Sequence, residues 1–347
     1  MSRIFVRGVG AVSPAGWGVS SLRSALERRH PLPAQPLPRP GRVQPHWARA
    51  VPQPQPRPDF LRHARLRRCS PITHYAVAAA LEAIGDDLAS VQEGCLRLGI
   101  LVCTMAGCVN YSRRFWEETL RDPATASPVL FPETVFNAPA SHVAACLGST
   151  AASHTLVGDE GVFLQGLAVG ANWLLGRRAD ACVVIGAGEV DWVVAEALHL
   201  FDRQAIHSDG AGAVYLLPGD PRAGGVELAG ITDAHSLAAG QTRGGALRRM
   251  RSELPAPSPT EVLFLSATTA GRYGAAERGA WTDWTGPRVA TKDVLGEAFV
   301  ASSAWQCVAA CDGLLRREFT AATVSVMGST QQAIGARFVL SPRTSTP

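Results

Sequence analysis

The chain has nine histidines in 347 residues, and none of them lies beyond His235. The C-terminal third is therefore without the one side chain whose unperturbed pKa places a proton switch near neutrality. Long hydrophobic runs are missing as well. No apolar stretch approaches the roughly 18 residues of a membrane span. The N-terminus enters a strand at Ile4 with no basic leader or cleavage site, so a cytoplasmic protein is expected. Charge of one sign is scarce: 33 basic against 29 acidic residues leave a formal +4. That balance is too mild to argue for a nucleic-acid partner. The glycine-rich strings GVGAVSPAGWG, GAGE and HSDGAGA fit neither GxGxxG nor a P-loop with its lysine, which argues against nucleotide binding. The eight cysteines (69, 95, 103, 108, 146, 182, 307 and 311) contain no CxxC pair and no accompanying histidine cluster. They read as reduced, mostly buried small hydrophobes. No metal and no other cofactor is expected.

What is present is a large core: 46% of the residues are hydrophobic, enough for one large or two intimately packed domains. Residues 4–26 (IFVRGVGAVSPAGWGVSSLRSAL) give a strand, a turn and an amphipathic helix. Residues 31–58 carry prolines at 31, 33, 36, 38, 40, 45, 52, 54, 56 and 58. Such a stretch is expected to run extended over the surface, with neither helix nor inner strand, as a stiff connection or a PxxP ligand. The basic residues 62–68 then lead into an alanine-rich helix over 70–83, and 98–103 (LGILVC) is a continuous apolar strand of the kind covered on both faces. A broken loop over 131–140 precedes a short helix over 141–147. Residues 154–189 give strand, glycine turn, helix and a second apolar strand, and 211–217 closes the first half. The second half repeats the theme, with strands over 225–231, 260–266, 323–327 and 336–340, a helix through Glu277 and another over 294–315. Alternating elements of this kind predict a layered α/β fold.

The order and spacing of VRGVGAVSPAGWG, FPETVFNAPASHVAACLG, the 154–189 unit and ATKDVLGEAF resemble the β-ketoacyl synthases of the thiolase superfamily. The resemblance implies two similar halves layered α-β-α-β-α, divided at 1–222 and 223–347 with residues 31–58 as a surface insertion. It also implies a Cys nucleophile at a strand-to-helix elbow and two histidines from the second half. Here the elbow reads Leu156-Val157-Gly158-Asp159-Glu160-Gly161. Matching Gly161 and Gly166 to the family glycines puts Gly158 at the nucleophile position, and a slip would put Asp159 or Glu160 there. Acidic residues at a helix start are ordinary capping and dipole partners; a catalytic carboxylate is the rival reading. Ser266 falls at the first histidine position, and Glu297, five residues after Lys292, at the second. A serine there cannot supply the charge-assisted hydrogen bond of a histidine, and a carboxylate would repel a developing enolate. Lys292 and Glu297 are placed to pair locally. His142, His154 and His207 read as structural, with no nucleophile beside any of them.

The resemblance is nearest to the chain-length factor of type II polyketide and aryl-polyene systems. That implies a non-catalytic subunit of a heterodimer with an active ketosynthase, serving acyl carrier protein and shaping an acyl tunnel, with no nucleic-acid or membrane partner. The complex would act as an acyltransferase by decarboxylative condensation. Tyr111, Phe115 and Trp116 are the bulky tunnel candidates, with ordinary core packing as the competing assignment. His154, Leu156 and Val157 are the interface candidates. The rival functions are a decarboxylase or thioester hydrolase using Asp159 or Glu160, and a scaffold that binds carrier protein.

Overall fold

A computed structural model describes residues 3–219, 224–237, 242–256, 258–269, 273–330 and 332–342. The first half begins with β1 (Arg3–Ser13), β2 (Gly16–Trp17) and α1 (Val19–Arg28), then β3 (Gln35–Leu37) and β4 (His46–Arg49). Next come α2 (Pro71–Ile84), α3 (Leu88–Gln92), β5 (Leu98–Thr104), α4 (Val109–Arg121) and α5 (Ala138–Leu147). It ends with β6 (Ser153–Val157), α6 (Val162–Leu175), β7 (Ala181–Gly188), α7 (Trp192–Phe201), β8 (His207–Ser208) and β9 (Gly210–Gly219). The second half holds β10 (Gly225–Ile231), β11 (His235–Ser236), α8 (Arg243–Ser252), β12 (Val262–Leu265) and α9 (Gly274–Ala280). It closes with β13 (Arg288–Ala290), α10 (Thr291–Leu295), α11 (Val300–Leu315), β14 (Ala321–Met327) and β15 (Gln332–Ser341). The expected division between Arg222 and Ala223 lies outside the described residues.

The main sheet runs β13-β12-β14-β15-β10-β1-β9-β7-β5-β6. Its two ends repeat one pairing pattern. β5 is parallel to β6 and β7, with β9 and β1 antiparallel beyond; β12 is parallel to β13 and β14, with β15 and β10 antiparallel beyond. The halves join where β1 meets β10 through Phe5↔Glu227 and Val6↔Val226.

Three apolar clusters define the layers. The first lies between the half-sheets and is filled by α6 and α11, with Phe163, Leu167, Trp305 and Val308 at its centre. The second packs α2 and α5 on the outside of the first half-sheet, and the third packs α8 and α9 on the outside of the second. The order is helix, sheet, helix, sheet, helix, as the resemblance implied. β5 buries all seven residues because Leu101 and Cys103 face the central cluster while Leu98, Ile100 and Val102 face the outer one. α11 is apolar nearly all round, as a helix between two sheets must be. Trp305 ties the halves together, its Nε1 donating to the carbonyls of Val12 and Ala211, both at 3.0 Å. The alanines of α2 allow close approach to β1: a Cβ on Gly10 would lie 2.0 Å from the Ala79 carbonyl oxygen.

Three expectations need correction. The proline-rich stretch is not wholly a surface connection: β4 lies between β3 and β8 as the inner strand of a small sheet, burying His46, Ala48 and Arg49. The prolines stop at 45 and resume at 52, so this window keeps the donors a strand needs. The helix expected over 294–315 is two helices, broken at Gly296 (φ 91) and Phe299 (φ 49). A Cβ on Gly296 would lie 2.7 Å from the Ile206 carbonyl oxygen, so the break depends on both conformation and packing. The helix expected over 141–147 starts earlier, at Ala138, with Pro139 in the first turn, where no donor is lost.

Candidate functional site

The two central helices aim their N-termini at one cavity of about 440 Å3. Each brings a carboxylate just before its first turn, Glu160 ahead of α6 and Glu297 ahead of α11. Lys292 of α10 joins them, its Nζ 2.5 Å from Glu297 Oε2 and 3.5 Å from Glu160 Oε1. All three are mostly shielded from water. Burial by itself would push Lys292 down, but the carboxylates of Glu297 and Glu160 outweigh it and hold the ammonium above its ordinary value. Burial raises Glu297; Lys292 opposes that shift and the nearby charge of Glu160 adds to it. Glu297 Oε1 accepts from the Phe299 amide at 2.8 Å, and Glu160 Oε2 from the Ser329 amide at 2.8 Å.

Ser266, at the end of β12, lies in a second buried network. Its hydroxyl donates to Glu277 Oε1 at 3.1 Å and accepts from the Met327 amide at 2.8 Å. Glu277 also accepts from the Ser266 and Ala267 amides and from Ser325 Oγ at 2.7 Å, and burial raises its pKa. The serine hydroxyl has its one proton committed and no base within this network but a carboxylate held by four donors.

Gly158 does not border the cavity; its amide donates to the Thr104 carbonyl at 3.2 Å and continues the β5–β6 ladder. Of the elbow residues it is Glu160 that reaches the cavity. Asp159 turns towards β15, accepting from Gly161 N at 3.2 Å, Thr330 N at 3.3 Å and Gln332 Nε2 at 3.3 Å. Among the described residues, no cysteine or histidine lines the cavity. His207 is buried behind it, its Nδ1 donating to the Glu297 carbonyl at 3.0 Å, and burial pushes its pKa down. His142 lies 2.9 Å from Glu133 Oε2, and His154 rests edge-on against Trp173 with ring centres 4.9 Å apart. Cys103 and Cys182 pack against α6, and burial pushes Cys182 up to about 12, far from a reactive thiolate.

Part of the remaining wall is apolar, from Met105 after β5, Val193, Val194, Ala197 and Leu198 of α7, and Phe299, while Arg49, Asp202, Gln204, Thr268, Tyr273 and Asp293 add polar groups. α7 was not foreseen as a wall. One sequence signal for it is Asp191, which caps it by accepting from the Val193 amide at 2.9 Å. Tyr111, Phe115 and Trp116 lie elsewhere, on α4, a helix with no buried residue. Phe115 packs on Phe131 at 5.5 Å between ring centres, and Trp116 is 61% exposed. Of the interface candidates, His154 and Val157 are exposed on the edge strand β6. Leu156 turns inward, partly buried against the central cluster beside Gly166.

A search of protein-family models found no match to this sequence, and a search of curated proteins found none either. Solved structures do match over nearly the full length. The ishigamide ketosynthase/chain length factor superposes with a TM-score of 0.79 at 16% identity, covering 98% of this chain and 100% of that one. The ketosynthase solved with a type II PKS acyl-carrier protein and a bound hexaketide gives 0.77 at 16% identity, over 97% and 99%. A β-ketoacyl synthase from Burkholderia phymatum gives 0.76 at 14% identity, over 98% and 100%. The chain thus has the thiolase-like fold of the ketosynthases, and it presents at the meeting point of the central helices a cavity lined by carboxylates, lysine and serine.

Proposed function

We propose that this chain is a non-catalytic, chain-length-factor-like subunit that pairs with an active ketosynthase during chain elongation on acyl carrier protein. The observation that carries the reading is a ketosynthase-fold cavity with no thiol or imidazole among its described lining residues, in which Glu160, Lys292, Glu297 and Ser266 already have partners. Condensation needs an activated thiolate and donors poised for an enolate oxygen. Glu160, Glu297 and Ser266 offer neither, and each already has hydrogen-bond or ion-pair partners. Asp159 and Glu160 spend their carboxylate oxygens on backbone amides, Gln332 and Lys292, which favours a structural role over a hydrolase or decarboxylase. The matched ketosynthase/chain length factor supports pairing with a second subunit of the same fold, and the matched carrier-protein complex supports the acyl carrier protein as the shared partner. The partner would cover the exposed edge strand β6 and α4, where Tyr111, Phe115 and Trp116 would face the acyl chain.

The test is co-expression with an intact ketosynthase from the same source. A stable heterodimer that elongates malonyl-carrier protein, alongside an isolated chain that does not, supports the reading. The Gly158→Cys and Glu160→Cys variants alone should stay inactive, since Ser266 and Glu297 are unchanged. Elongation or decarboxylation by the isolated chain would overturn the proposal.

A further inference from the structure

A second cleft, of about 630 Å3, opens between α1, the β12–β13 end of the sheet and the last turns of α11. That size falls within the roughly 300–1,000 Å3 of small-molecule sites. Its floor is apolar: Leu22 and Leu26 from α1, Phe264 from β12, Val289 from β13, Val294 from α10 and Phe319 after α11. Charged residues surround this floor, and three of its four acidic residues are paired with arginines. Asp312 accepts from Arg23 through two bonds of 2.7 Å, Glu318 lies 2.6 Å from Arg316, and Glu27 lies 3.6 Å from the same guanidinium. The fourth, Asp293, accepts from the Thr269 amide at 2.9 Å and from the Thr269 hydroxyl, and has no ion-pair partner among the described residues.

The basic residues are not matched in the same way. Among the described residues, Arg29 and Arg278 have no carboxylate partner. Arg29 closes α1 with a left-handed φ of 56, and Arg278 donates only to the Thr269 carbonyl, at 2.6 Å. Arg288, by contrast, is turned to the carbonyls of Trp281 and Trp284. An apolar floor beneath two guanidiniums that lack a carboxylate partner favours a ligand that is apolar along its length and anionic at one end. We propose that this cleft binds a medium-chain fatty carboxylate, its alkyl chain on the Leu22–Phe264 floor and its head group between Arg29 and Arg278. The inference stands on this cleft alone and does not depend on the partner proposed for the opposite end of the sheet.

The experiment titrates the full chain by calorimetry with decanoate, decanol and decyltrimethylammonium. Decanoate should bind saturably with one site per chain, at least tenfold tighter than decanol, and the ammonium should not bind. Leu26→Trp on α1 and Val289→Trp on β13, which fill the cleft from two different elements, should each abolish binding while the thermal unfolding profile stays native. Arg29→Gln with Arg278→Gln should bring decanoate down to the level of decanol. Leu120→Ser, on the exposed face of α4, should leave the titration unchanged. Equal affinity for the three probes, or decanoate binding that survives a folded plug variant, overturns the proposal. Should both plugs fail to fold, the double arginine variant decides, since both side chains are exposed: an undiminished preference for decanoate overturns it.

Discussion

The two ends of the sheet are built on one strand pattern and finished differently. At the first end, β6 offers five residues with Val157 53% exposed, and elsewhere in the same half Trp116, Leu120, Phe131 and Phe136 are exposed. At the other end, β13 has three residues and is entered through exposed Pro287 and Arg288. Among the described residues, every exposed large hydrophobic belongs to the first half except Leu315. A long apolar edge invites another chain, and a short, charged one discourages it. The proposed partner would cover the first of these surfaces and leave the second to water. Where the halves meet, the central helices bring together Glu160 from one and Lys292 and Glu297 from the other.

Breaking that junction should have the largest effect. Lys292→Met leaves two buried carboxylates without their cation, a loss of about 3–5 kcal/mol by analogy with other broken buried pairs. Adding Glu160→Gln and Glu297→Gln should restore most of it. Urea unfolding of the single and triple variants measures both. A single variant as stable as the parent would mean that the lysine does not hold the halves together.

The pH dependence of stability sharpens the comparison from the first half. Asp209 is buried, accepting from the Val51 amide at 2.6 Å and Tyr75 Oη at 3.1 Å, and burial raises its pKa from 3.8 to about 6. Between those values the folded state holds a proton that the unfolded chain has lost. Its stabilising contribution is therefore complete below pH 4 and lost as pH rises to 6, about 3 kcal/mol at 1.36 kcal/mol per unit. Glu82, Glu189, Glu277 and Glu297 are raised in the same direction, each by burial first. The chain should unfold at lower urea at pH 8 than at pH 5.5, and Asp209→Asn should flatten the profile between 4 and 6. Stability that climbs steadily from pH 5 to 8 would contradict this.

Much of the scaffold could be read along the chain because its signals are local. The run LGILVC announces a strand covered on both faces, and the glycine turn before α6 marks the elbow. Lys292 and Glu297, five residues apart, could be paired from sequence. Glu160 could not be added to them, because its place depends on two helix N-termini converging across the halves. Ser266 was placed at the site, but the carboxylate that immobilises it, Glu277, acts through a contact eleven residues away and one more from Ser325. The break before α11 depends on left-handed conformations at Gly296 and Phe299, and Phe299 carries no local signal for one. Leu156 was grouped with Val157 as an interface residue, yet strand alternation sends their side chains to opposite faces.

That alternation also selects the better probe of the edge. A charge at Leu156 would damage the central cluster and confuse assembly with folding. Val157→Lys should leave the isolated chain within about 0.5 kcal/mol of the parent, as exposed changes usually do. It should nonetheless abolish co-purification with the ketosynthase. Arg288→Glu, at the opposite edge, should leave assembly intact. Size-exclusion of the three complexes checks the pair, and an intact Val157→Lys heterodimer would move the interface away from β6.

Only small effects on the isolated chain are expected on α4 as well. Phe115 is half-buried against Phe131, so Phe115→Ala forfeits part of an aromatic contact, about 0.5–1.5 kcal/mol beyond its area. Trp116 is 61% exposed, and Trp116→Ala should change stability by no more than about 0.5 kcal/mol. A tryptophan kept in the core would cost about 3–5 kcal/mol instead. In the heterodimer the order should reverse: if the cover sits on α4, removing Trp116 opens space at the acyl chain and lengthens the product, with little change in the melting temperature. Product profile and thermal unfolding measured on the same two variants separate these outcomes. Unchanged products from Trp116→Ala would remove it from the tunnel and leave its exposed ring as part of the contact surface alone.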